Sequence, residues 1–293
     1  MAYVNFTMNE IWNFQNATSN IVSQIDNEVS SYESAVAAAI TKYQAAIDVY
    51  NESIQAMDTD YRELGFVISD NKGAIETLKR RRDNAKKAWD TAPEGSKASA
   101  KSNYESAQKT LENAISHNDD LDRMRDRLWR RMEEMKQSVR VCEDCIRTLQ
   151  SNEAEMKRAG SAARDAVYQV QAAAKKAHDY ADIIVENLKT EGVTAYHHDI
   201  RVRFLDHNTL YHLSETLAGM AATLSEKAEA TEEANAMLEY SMRDKISIAA
   251  VAKMREINET STGATANLIS MAKKSRKAYE YVIDYLNLKM SYR

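Results

Sequence analysis

Residues 128–188 read LWRRMEEMKQSVRVCEDCIRTLQSNEAEMKRAGSAARDAVYQVQAAAKKAHDYADIIVENL, and this stretch decides the fold. Apolar side chains recur along it at alternating steps of four and three residues, which is the heptad spacing of a coiled-coil helix. The spacing continues for about nine heptads, and only Glu153 and Gly160 interrupt its apolar character. The stretch therefore predicts one long helix that packs against other helices through a continuous seam.

The scarcity of helix breakers extends this prediction to the rest of the chain. Its 293 residues include one proline and seven glycines, so few positions can end a helix. Hydrophobic residues make up 44% and charged residues 28%, which excludes a disordered chain and suits helices with one apolar face. We predict an all-α protein, in which an elongated antiparallel coiled-coil hairpin is joined by a third long helix.

Breaker residues divide the predicted fold into segments. Pro93 and Gly95 end the first helix, Ser96 is positioned to cap the second, and Gly192 ends the second. The predicted segments are a first helical arm over residues 1–92 with a kink near 65–73, a long coiled-coil helix over 96–190, an extended connector over 193–206, and a third helical segment over 207–293 with a bend near 260–263.

The connector alternates apolar and polar residues between positions 194 and 205, which is a strand signal. An isolated strand is unstable and needs a partner edge, and no second strand is evident in the sequence. We therefore predict that the connector docks on the sheet edge of another copy or another protein, or that it is an extended linker. The predicted contact residues are Tyr196, Ile200, Val202 and Phe204.

The long seam predicts further interfaces. One hairpin and one additional helix leave parts of an Ala-rich seam and a Tyr-rich seam uncovered, so we expect a homo-oligomer, a protein partner, or both. The seam residues predicted to form these interfaces are Leu128, Met132, Met135, Val139, Ile146, Leu149, Val167, Val170, Ile184 and Leu188.

Two groups of residues have the composition of metal sites. Cys142 and Cys145 form a CxxC pair, but they lie within the helix without a second pair, so we expect packing rather than an inter-subunit metal site or disulfide. Four histidines lie between His197 and His212 at a spacing that matches no metal motif. We expect strand and cap roles for them, with a pH-sensitive interface as the alternative. No metal or cofactor is predicted.

The sequence lacks the signatures of catalysis: it contains no GxSxG, P-loop, GxGxxG or HExxH motif. We therefore expect no enzyme activity and no small-molecule substrate. The net charge of −5 does not favour nucleic acid as the leading partner. The best candidate for an anion or lipid contact is the basic cluster Lys273, Lys274, Arg276 and Lys277.

These observations predict a non-enzymatic scaffold of coiled-coil type that self-assembles or docks partners through its helical seams. The alternatives are a secreted helical-bundle effector or pore-forming toxin component, and an adaptor that binds lipid or nucleic acid through the basic cluster. The first ten residues show no signal-peptide pattern and no stretch is apolar enough to span a membrane. A cytoplasmic location is therefore expected, with signal-less export left open.

Overall fold

The computed structural model describes residues 3–242 and 248–291. Within these ranges the chain forms four long helices and one two-stranded sheet, which confirms the predicted all-α fold with a short extended connector. Short 3₁₀ turns cover Glu94–Ser96 and His197–Asp199. The helices and strands are β1 (Tyr3–Thr7), α1 (Met8–Asp90), α2 (Lys97–Thr190), β2 (Arg201–Asp206), α3 (His207–Met242) and α4 (Ile248–Ser291).

The chain folds as two compact units. Unit 1 comprises Met1–Ala45 and Glu143–Arg293, and unit 2 comprises Ala46–Cys142. Unit 1 therefore holds the sheet, α3, α4 and one end each of α1 and α2. Unit 2 is the antiparallel hairpin formed by the remainder of α1 and α2.

Unit 1 is a bundle of four helical segments whose apolar stripes meet in one core. Ion pairs join neighbouring helices at its surface: Arg164 on α2 lies 2.9 Å from Asp26 on α1, and Lys227 on α3 lies 2.8 Å from Glu155 on α2. The α3 and α4 helices also pack on each other. The buried side chains include Ile11, Phe14, Ile21, Ile25, Tyr32, Val36, Met156, Val167, Val170, Leu213, Leu217, Met220, Leu224, Leu268, Val282 and Leu286.

Gly160, one of the two exceptions in the heptad pattern, lies where three helices of unit 1 come close together. A Cβ atom at this position would lie 2.6 Å from Cγ2 of Val29, 3.6 Å from Cγ2 of Ile25 and 3.8 Å from Cε of Met220. Carbon atoms at rest lie about 3.5–4.0 Å apart. The absence of a side chain is therefore what allows α1 and α2 to pack this closely.

Glu153, the other exception, takes part in a salt-bridge cluster. Nζ of Lys157 lies 2.6 Å from Glu153 on the same helix and 2.9 Å from Glu33 on α1. Hydrogen bonds to Glu153 and Glu33 raise the pKa of Lys157 to about 12. The polar residue in the seam thus contributes to a link between α1 and α2.

The predicted connector strand finds its partner within the chain, contrary to the expectation that another copy or protein would supply it. β1 and β2 pair antiparallel, with Phe6 opposite Val202 and Thr7 opposite Arg201, and the register shifts between Val4 and Asn5. The sheet is anchored in the core of unit 1, because the ring of Phe204 meets the ring of Phe14 on α1 edge to face at 6.1 Å. β1 was not predicted from the sequence, although apolar Val4 and Phe6 alternate with polar Asn5 and Thr7 in this segment.

Each strand leads directly into a helix through a side-chain cap. At the start of α1, the Thr7 amide donates to Oε2 of Glu10 at 2.9 Å and the Glu10 amide donates to Oγ1 of Thr7 at 3.3 Å, which is a capping box. At the start of α3, the Thr209 amide donates to Oδ1 of Asp206 at 2.8 Å.

The segment 207–293 differs from the single bent helix that the sequence predicts. It forms two helices, α3 and α4, and the residues between them, 243–247, lie outside the described ranges, as do residues 1–2 and 292–293. Residues 260–263, where a bend was expected, are helical within α4. The reason is that Ser261 faces inward, where its hydroxyl donates a 2.8 Å hydrogen bond to Oδ1 of Asn235 on α3.

The two other predicted breaks of α1 and α2 have different outcomes. Residues 65–73 are helical throughout, because two isolated glycines cost about 1 kcal/mol each, which packing against a neighbouring helix can offset. At the hairpin turn, α1 ends at Asp90 and α2 begins at Lys97. Ser96 does not cap α2 in the predicted way; its hydroxyl donates to the Pro93 carbonyl at 3.2 Å.

Candidate functional site

Unit 2 consists of two helices only, so each of them covers a narrow strip of the other. The hairpin core contains Ile68 and Ile75 of α1 and Leu111, Met132 and Met135 of α2, all of which are buried. The other sides of both helices lie open, because no third helical segment belongs to this unit. Any function of the hairpin must therefore be sought on these open faces.

Contacts between the two helices fix their register. Nη1 of Arg82 donates to Oε1 of Gln108 at 3.4 Å, and the position of a Cβ on Gly65 faces the guanidinium of Arg125 at 3.8 Å. The helices run in opposite directions, so equal steps away from either pair remain level with one another. Counted from either pair, Glu63 on α1 and Arg127 on α2 lie at the same height along the hairpin.

A groove of about 580 Å³ lies along one face of the hairpin. Each helix contributes four residues at the spacing i, i+3, i+4 and i+7, which is the spacing of one helix face. The lining residues are Asp60, Glu63, Leu64 and Val67 from α1 and Met124, Arg127, Leu128 and Arg131 from α2.

The centre of the groove is apolar and accessible. Val67 and Met124 keep 46% and 50% of their surface exposed, which is unusual for side chains of this type at a helix–helix junction. Successive helix residues are rotated by about 100°, which places Leu64 and Leu128 on the side of the groove nearest the hairpin core. Both side chains are half-buried there. A helix or helix pair laid along the groove would remove this apolar surface from water.

The charged residues of the groove are divided between the helices by sign. Asp60 and Glu63 lie on α1, whereas Arg127 and Arg131 lie on α2. None of the four makes a salt bridge within the described part of the chain. The groove thus presents one acidic edge and one basic edge with free charges on either side of an apolar centre.

The seam residues that the sequence predicts as interfaces are mostly covered by this chain itself. Leu128 lines the groove, and Ile184 is exposed. Val139, Ile146 and Leu188 are half-buried. The buried seam residues are Met132, Met135, Leu149, Val167 and Val170.

The connector residues divide in the same way. Val202 and Phe204 are buried in unit 1, so they are not free for a partner, and Ile200 is half-buried. Tyr196 is exposed and its ring stacks on His198. The intrachain pairing with β1 therefore takes up most of the surface predicted for docking.

The basic cluster lies on the exposed side of α4. Lys273, Lys274 and Lys277 make no salt bridge in the residues the structure describes, whereas Nε of Arg276 pairs with Glu280 at 2.8 Å. These side chains stand on a single helix, and Arg276 also lines a groove of about 330 Å³ between α3 and α4.

The cysteines and histidines do not form a centre of three or more metal-ligating groups anywhere in the described ranges. Cys142 is buried and Cys145 half-buried, and neither forms a disulfide within the described residues. The ring of His197 stacks on His178 at 5.6 Å, and its Nε2 lies 3.0 Å from Asp182. These contacts hold the connector against α2 within unit 1.

Among the described residues, no helix combines the length and apolar character needed to cross a bilayer. Comparisons with models of protein families, with curated proteins and with solved structures found no match to this chain.

Proposed function

We propose that this chain is a non-enzymatic structural protein of coiled-coil type that self-assembles through the open face of its helical hairpin. The observation that supports the proposal is the groove of unit 2, which combines accessible Val67 and Met124 with four charges that have no partner in the hairpin. Exposed apolar residues bordered by charges are typical of protein–protein interfaces. The heptad seams of the chain favour helices as the elements that meet there.

The test is the molar mass of the purified full chain, measured by light scattering coupled to size-exclusion chromatography over a concentration series. We expect a mass above the 33.2 kDa of one chain that increases with concentration. The variant Val67→Glu should shift the protein to the monomer, because a carboxylate would be buried in the apolar centre. A wild-type protein that stays monomeric at every concentration would refute the proposal.

Val141→Glu is the matched control. Val141 is 49% exposed, close to the 46% of Val67, and it lies in the same unit but does not line the groove. The two substitutions should therefore change the stability of the hairpin by similar amounts. If Val141→Glu dissociates the assembly as fully as Val67→Glu, the groove is not the surface involved.

A further inference from the structure

We infer that the occupant of the groove is the hairpin of a second copy, related to the first by a two-fold axis parallel to the helices. In this arrangement α1 of each copy lies on α2 of the other, and the four helical segments enclose the two apolar centres. The inference rests on the proposed function and specifies which partner the groove takes and in which orientation.

The first step of the argument is charge complementarity between two copies. A two-fold axis along the helices keeps each residue at its own level and exchanges the positions of α1 and α2. Because Glu63 is level with Arg127, Glu63 of one copy then faces Arg127 of the other. By the same count Asp60 is level with residue 130, so it lies within one residue, about 1.5 Å along the axis, of Arg131 of the other copy. Each contact occurs twice, as two-fold symmetry requires.

The second step is the exclusion of the other face-to-face arrangement. A two-fold axis perpendicular to the helices, lying in the interface, would place α1 on α1 and α2 on α2. Asp60 and Glu63 of the two copies would then crowd together, and so would Arg127 and Arg131. Juxtaposed like charges disfavour an interface and act against wrong orientations. The division of charge by helix therefore selects the first arrangement.

The third step concerns the apolar surface. Leu64 and Val67 of one copy would lie against Met124 and Leu128 of the other, so the accessible side chains of both hairpins would be covered. Antiparallel and parallel helix neighbours both occur in four-helix bundles with such cores. The hairpin, which has no third helix within unit 2, would thus have its open face covered by the second copy.

Charge reversal tests the orientation. A variant with Asp60→Arg and Glu63→Arg carries two basic edges, and we expect its self-association to weaken about 100-fold or more, because four favourable contacts become repulsive. A variant with all four groove charges reversed should associate with itself as the wild type does. It should not mix with the wild type, because its basic α1 would face the basic α2 of the wild-type copy.

Cross-linking reports the pairing directly. Two single-cysteine chains, Val67→Cys and Met124→Cys, are prepared with Cys142→Ala and Cys145→Ser and treated with a short bis-maleimide. We expect a covalent dimer when the two chains are mixed and little product from Val67→Cys alone. A self-linked Val67→Cys dimer, or free mixing of the fully reversed variant with the wild type, would overturn the orientation.

The two proposals fail separately in these experiments. An assembly that persists by light scattering, but gives no link between positions 67 and 124 and ignores the charge reversals, overturns this inference and leaves the proposed self-assembly standing. A chain that is monomeric at every concentration overturns both. Dimer formation that needs both the groove charges and the 67–124 proximity supports both.

Discussion

The hydroxyl group of Tyr279 on α4 donates a 2.7 Å hydrogen bond to Oε2 of Glu28 on α1, and both side chains are fully buried in unit 1. Within the described residues no salt bridge involves Glu28. Burial raises the pKa of this carboxyl group, and the hydrogen bond from Tyr279 offsets only part of the effect. The bundle therefore holds a carboxyl group whose charged form it disfavours.

The first prediction is that Glu28 makes the stability of the bundle depend on pH. A carboxyl group with a raised pKa in the folded state binds its proton more tightly there than in the unfolded chain. Its stabilising contribution to the free energy of unfolding is therefore fully present below the unfolded pKa and is lost as pH rises through the folded pKa. Glu28→Gln removes the charge and keeps an acceptor for Tyr279. At pH 8 the variant should be more stable than the wild type by about 1–3 kcal/mol. Near pH 4 the two proteins should have the same free energy of unfolding. Urea denaturation at both pH values measures the difference.

Glu229→Gln serves as the control, because Glu229 is exposed and makes no salt bridge within the described ranges. It should leave the pH profile of the wild type unchanged. A Glu28→Gln variant that loses stability at pH 8 would mean that the charged carboxylate is better solvated or paired than the structure indicates.

The heptad seam could be predicted from sequence because it depends only on the spacing of apolar residues within one helix. The 4-3 spacing in residues 128–188 fixes which side of α2 is apolar wherever the partner helix comes from. Met132, Met135, Leu149, Val167 and Val170 are accordingly buried. The turn around Pro93 was equally readable, because proline and glycine act on their own backbone.

The groove, the pairing of the two strands and the continuity of α4 through residues 260–263 were not readable in this way, because they depend on distant residues meeting. The groove-lining positions within residues 60–67 and 124–131 form two ordinary helix faces until the hairpin register brings them together. Their i, i+3, i+4, i+7 pattern of charge beside apolar residues was the available signal. Ser261 resembles a helix-bending residue until Asn235, from another helix, accepts its hydrogen bond.

The second prediction concerns the close approach at Gly160. Gly160→Ala should destabilise unit 1, because the new methyl group would lie 2.6 Å from Cγ2 of Val29, and overpacking of a core costs typically about 1–3 kcal/mol. The same substitution at Gly263 meets no atom within 4 Å and should stabilise by up to about 1 kcal/mol through helix propensity. Thermal denaturation of both variants measures the difference; equal shifts would show that α1 and α2 are farther apart here.

The third prediction tests whether α1 is continuous through residues 65–73. A Cβ on Gly73 meets no atom within 4 Å, and one on Gly65 makes an ordinary 3.8 Å contact with Arg125. Because both glycines are helical, Gly65→Ala and Gly73→Ala should each increase stability, by up to about 1 kcal/mol. If either glycine instead adopts a left-handed conformation at a break, alanine would be strained there and the melting temperature would fall.

The last prediction concerns the buried polar contact between α3 and α4. Asn235 donates through Nδ2 to Oγ1 of Thr265 at 2.9 Å and accepts from Ser261 through Oδ1 at 2.8 Å, and all three residues are buried. Ser261→Ala removes the donor and leaves Oδ1 of Asn235 without that hydrogen bond, which should cost about 1–3 kcal/mol. The neighbouring exposed residue provides the control, since Thr260 bonds only to the Glu256 carbonyl of its own helix. Thr260→Ala should therefore change the free energy of unfolding by no more than about 0.5 kcal/mol, and a Ser261→Ala variant as stable as this control would show that water satisfies Asn235.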